Sequence, residues 1–115
     1  MKLDITNKLR QTRPVLEIAG NAFEVDDTKD TMLAFNERMQ QLPSKTSTLV
    51  LYEEGIRTFL GEDAARIIGG MGLSVPDYRT IFIAVLSLAN EEDFDTVEAR
   101  FLRSVNGADM VRSDG

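Results

Sequence analysis

At 115 residues the chain has the length of one ordinary domain, and 43% hydrophobic against 28% charged residues is the composition of a folded, soluble protein. It has no cysteine and no histidine, which excludes disulfides, thiolate metal sites, cysteine nucleophiles, and the commonest general base and zinc ligand. A formal charge of −6 speaks against nucleic acid as a general partner.

That charge is unevenly spread. Residues 1–13 carry Lys2, Lys8, Arg10 and Arg13 against Asp4 alone, a net +3, while the remainder is net −9. A basic arm on an acidic body is an electrostatic handle for a partner or for a second copy of the chain, although a merely solvated terminus reads the same way. No apolar run is long enough to span a bilayer. The start Met1-Lys2-Leu3-Asp4 has neither the apolar stretch nor the cleavage site of a signal peptide, so a cytoplasmic protein with no membrane partner is expected.

Residues 14–26 alternate in polarity on both sides of Gly20-Asn21, which predicts a β-hairpin turning on those two residues with Leu16, Ile18, Phe23 and Val25 on one buried face. Two strands alone are marginal, so the hairpin must pack on helices or extend a neighbouring sheet. Thr28 then caps a helix bearing Met32, Phe35, Met39 and Leu42 at three- and four-residue spacing, stopped by Pro43. Leu49, Tyr52, Ile56, Phe59 and Leu60 form the next stripe, ending at Gly61, and a short segment around 64–68 is closed by Gly69-Gly70-Met71-Gly72. Ser74-Val75-Pro76-Asp77 opens another helix, with a capping hydroxyl, proline in the first turn and an acid at the positive end. Its apolar face is Tyr78, Ile81, Phe82, Val85, Leu88 and Ala89; Phe94, Val97, Phe101, Leu102 and Val105 form a last stripe, stopped by Asn106-Gly107. The expected architecture is mainly α: a compact bundle of about five helices with an N-terminal hairpin, as one domain over 14–107, with a basic arm at 1–13 and a flexible tail at 108–115.

The chemistry-bearing clusters are weak. Gly69-Gly70-Met71-Gly72 follows a helix instead of a strand and has no lysine after it, so it reads as a connection and not as a phosphate cradle. Glu91, Glu92, Asp93 and Asp95 lack calcium-loop spacing and read as an acidic first turn of a helix. No catalytic, cofactor or metal residue is expected, and the chain is expected not to be an enzyme. An acidic adaptor or inhibitor that mimics nucleic acid is the alternative binding role, but Arg57, Arg66, Arg79, Arg100 and Arg103 interrupt the acidic surface such mimicry requires.

The order of elements resembles the small tail assembly chaperones of long-tailed bacteriophages, in the short form found in phages and prophages of Gram-positive bacteria. The resemblance covers about residues 14–105, with local phrasing such as Leu60-Gly61-Glu62-Asp63-Ala64 and Leu73-Ser74-Val75-Pro76-Asp77-Tyr78; the basic stretch before Pro14 has no counterpart in that pattern. What it implies is a non-enzymatic protein that coats and solubilises the tape measure protein, recruits the major tail protein, acts in the host cytoplasm and is absent from the mature virion. It implies further that residues 108–115 lie near a programmed frameshift producing a longer form, and that copies associate into an open spiral or helical array. A head-to-tail contact would draw on the complementary charges, with Lys2, Lys8, Arg10 and Arg13 of one copy meeting Glu91, Glu92 and Asp93 of the next.

Overall fold

Val15–Ile18 (β1) and Asn21–Glu24 (β2) pair antiparallel with Leu16 opposite Phe23 and Ile18 opposite Asn21. The turn therefore lies at Ala19-Gly20, one residue earlier than Gly20-Asn21. Both turn residues have positive φ, 50° and 82°, as a two-residue hairpin turn that follows the right-handed strand twist requires. Either register leaves Leu16, Ile18, Phe23 and Val25 on one face, so alternation cannot distinguish them and turn geometry decides. On that face Phe23 and Val25 are buried, and Leu16 and Ile18 pack against the same core.

The computed structural model describes residues 1–10 and 12–103, and within these the chain is mainly helical, with five α-helices behind the hairpin. Three begin where a side-chain hydroxyl satisfies a free backbone N–H. Thr28 accepts from Thr31 N–H at Lys29–Gln41 (α1), Ser47 from Val50 N–H at Thr48–Leu60 (α2), and Ser74 from Asp77 N–H at Val75–Ala89 (α4). At α4 the Asp77 carboxylate also accepts from Ser74 N–H at 3.2 Å, a reciprocal box that satisfies two donors at once. Gly61, at φ 96°, ends α2 and turns the chain directly into Glu62–Gly69 (α3), a backbone conformation that disfavours any residue with a Cβ. The fifth helix, α5, covers 94–103; Val105, Asn106-Gly107 and the 108–115 tail lie outside the described residues.

The core is built where α2 crosses α4 and the hairpin closes one end. Phe23, Val25, Phe35, Tyr52, Ile56, Phe59, Ala64, Ile68, Ile81, Phe82 and Val85 form one buried cluster. Phe35 lies 5.0 Å from Phe59 and 6.2 Å from Phe82 between ring centroids, and Tyr52 lies 5.4 Å from Phe82; the tilted geometries suit the aromatic quadrupoles. Gly55 allows this approach, because a Cβ there would sit 2.3 Å from the Phe82 ring. Tyr78 and Phe94 are only half-buried. Ile83 is fully buried yet lies outside the predicted α4 stripe, so α4 is covered on more than one face.

Candidate functional site

The arm leads into β1 on the side where β1 packs against α4. Asp4 accepts from the N–H and hydroxyl of Thr6, making a local turn into a single 3-10 turn at Thr6–Lys8. Residues 1–10 are exposed throughout, including Leu3 at 80% and Ile5 at 48%.

Arg10 fastens this segment to the body. One guanidinium nitrogen meets the Asp27 carboxylate just before α1, and another meets Glu91 just after α4. The Asp27 side chain is only 7% exposed, and among the described residues its Oδ2 has no partner other than the charge of Arg10. Arg10→Ala is therefore expected to destabilise the fold by about 1–3 kcal/mol in urea unfolding, because it leaves a buried carboxylate uncompensated. An ordinary exposed ion pair would change stability by less than about 1 kcal/mol. Faster tryptic cleavage after Lys8 in the variant would report release of the arm.

Of the residues expected to join two copies, Arg10 and Glu91 are thus joined within one. Glu92 is held by both guanidinium nitrogens of Arg100 in α5; that bond keeps the Glu92 carboxyl below its ordinary pKa and raises Arg100. Asp93 precedes α5, its C=O accepts from Val97 N–H, and its charge faces the positive helix end. Lys2 and Lys8 form no ion pair among the described residues. Arg13 lies near Asp26. Partial burial works against the Asp26 charge, but the hydroxyls of Thr31 and Thr28, the Thr28 N–H and Arg13 outweigh it and hold this carboxyl below its usual range.

A different surface is open. A cleft of about 520 Å³ runs between β2 and the α2–α3 corner, with Phe23, Phe59, Leu60, Ala64 and Ile67 forming its apolar wall. Three carboxylates, Glu24, Asp26 and Asp63, border it, the last paired with Arg66, and Arg13 is the one cation in its lining among the described residues. Because Val25 N–H donates to Pro14 C=O at 2.8 Å, the alternation of bonded and non-bonded pairs turns the amide groups of Ala22 and Glu24 outward into this cleft. Asp26, two residues on and facing the same way, donates its N–H to Phe59 C=O at 2.8 Å. Among the described residues the outer edge of β2 is therefore bonded at one end and open along the rest. The sequence allowed for a hairpin that packs on helices or extends a neighbouring sheet, but not which edge is left open nor the burial of Asp27, since both depend on how α2 and α4 lie against it.

No group of three or more metal-ligating side chains occurs among the described residues, and no helix there is long and apolar enough to cross a membrane. Comparison with protein families, curated proteins and solved structures returned no match to this chain.

Proposed function

We propose that this chain is a non-enzymatic tail assembly chaperone of a long-tailed phage or prophage. In this reading it coats the tape measure protein in the host cytoplasm, keeps it soluble, recruits the major tail protein and leaves before the virion is complete. The observation that carries the reading is the exposed arm. Met1, Leu3 and Ile5 project from a segment clasped at Arg10, which suits a protein that meets other chains better than one that works alone. The two stretches on which the resemblance rests fall at the joints of the fold. Leu60–Ala64 forms the α2–α3 corner, and Leu73–Tyr78 contains the capping box that opens α4.

The adaptor alternative is less favoured, because Arg57, Arg66 and Arg100 each neutralise a neighbouring carboxylate, at Glu54 and Glu62, Asp63, and Glu92. Co-expression with the tape measure protein encoded beside this chain tests the proposal. The expected result is a soluble tape measure protein co-purifying with many copies of this one. An insoluble tape measure protein with nothing bound would reject the reading.

A further inference from the structure

We propose that the open edge of β2 takes residues 1–5 of a second copy as an added strand, so that the arm docks at the hairpin and not on the acidic stretch at 91–93. This rests on the reading of the chain as a self-assembling coat and names the contact that would build it.

Both halves of the contact are present in every copy and unused by its described residues. In the arm, Met1, Leu3 and Ile5 alternate with Lys2 and Asp4, the period-two pattern of a strand with one apolar face. Those three apolar side chains are exposed. In the cleft, the Ala22 and Glu24 N–H and C=O groups point outward with no partner among the described residues, beside an apolar wall that includes Ile67, 43% exposed. An added strand satisfies those groups with main-chain hydrogen bonds and lays its apolar face on that wall.

Charge favours the same pairing. Of the carboxylates at the cleft, Asp63 is paired with Arg66 and Asp26 lies near Arg13, but Glu24 has no ion pair among the described residues, and neither do Lys2 and Lys8 of the arm. By contrast Glu91 and Glu92 are already paired with Arg10 and Arg100. Within one copy residues 1–5 stay exposed and none of them lines the cleft. The contact is head-to-tail, so it propagates into an open chain of subunits unless the rotation closes a ring.

Complementation between two full-length variants tests this. Leu3→Glu with Ile5→Glu spoils the arm and leaves the cleft intact; Ile67→Glu spoils the cleft and leaves the arm intact. All three positions are exposed, so neither variant touches the core. Light scattering is expected to show concentration-dependent assembly of the unmodified chain. Each variant alone should remain at the 12.8 kDa monomer mass, with self-association at least about tenfold weaker. An equimolar mixture should form dimers and stop there, since only one good arm and one good cleft can meet.

Variants that assemble like the unmodified chain would place self-association elsewhere and overturn the proposal. So would monomeric variants whose mixture gives no dimer. An unmodified chain that stays monomeric would also overturn it; if that chain still solubilises the tape measure protein and Ile67→Glu abolishes this, a strand of the tape measure protein occupies the cleft instead. The co-expression result is read separately, so failure of the docking contact and failure of the chaperone reading remain distinguishable.

Discussion

Phe59→Ala is expected to lower the unfolding free energy by about 3–5 kcal/mol, a large part of what a domain of this size has. Phe59 is 1% exposed, its ring lies tilted against Phe35 at 5.0 Å between centroids, and it belongs to the cluster that joins the hairpin to α1, α2 and α4. Its own C=O accepts from Asp26 N–H, so the residue also ties the end of the hairpin to the end of α2. The cavity left by the ring would loosen the wall of the cleft as well as the core. Urea unfolding followed by circular dichroism measures the loss, and a value below about 1 kcal/mol would mean that the core does not depend on this ring.

Gly55→Ala should also destabilise, against the usual sign. In an ordinary helix interior this change gains up to about 1 kcal/mol. Here the new Cβ would lie 2.3 and 2.6 Å from two atoms of the Phe82 ring, which is itself held between Phe35 and Tyr52. Overpacking of this kind costs about 1–3 kcal/mol, so a net loss is expected. Phe82→Leu in the Gly55→Ala background should cost less than the sum of the two separate changes, because the clash is shared between the two sites. Additive losses would show that α2 and α4 do not meet through this pair.

Much of this fold was legible because local chemistry sets it. Thr28, Ser74, Pro43 and Gly61 bound their helices by hydrogen bonds or backbone angles that involve only a few neighbouring residues. The inward face of the hairpin was legible from alternation. Its turn was not, because two registers bury the same four side chains and Ala19 adopts a left-handed angle that its residue type does not announce. Ile83 is buried because α4 is covered on more than one side, which a single stripe cannot express. The arm was recognisable as basic, but its attachment was not. Arg10 and Glu91 are 81 residues apart, and no pattern in the chain links them. That the hairpin could extend a neighbouring sheet was legible, but which of its edges is open was hidden for the same reason, since whether a strand is covered depends on the neighbours that tertiary folding supplies.

The clasp on Arg10 also imposes an order on synthesis. Its two carboxylates leave the ribosome at very different times, Asp27 soon after the arm itself and Glu91 another 64 residues later. At about 5–20 residues per second, the second half of the clasp arrives roughly 3–13 s after the first. Until then α4 is incomplete, and a nascent chain displays an arm whose base has only one of its two anchors. Finished subunits alone present the arm from a fixed point, so an array built through the arm as proposed would discriminate between completed and unfinished chains without any separate inspection step.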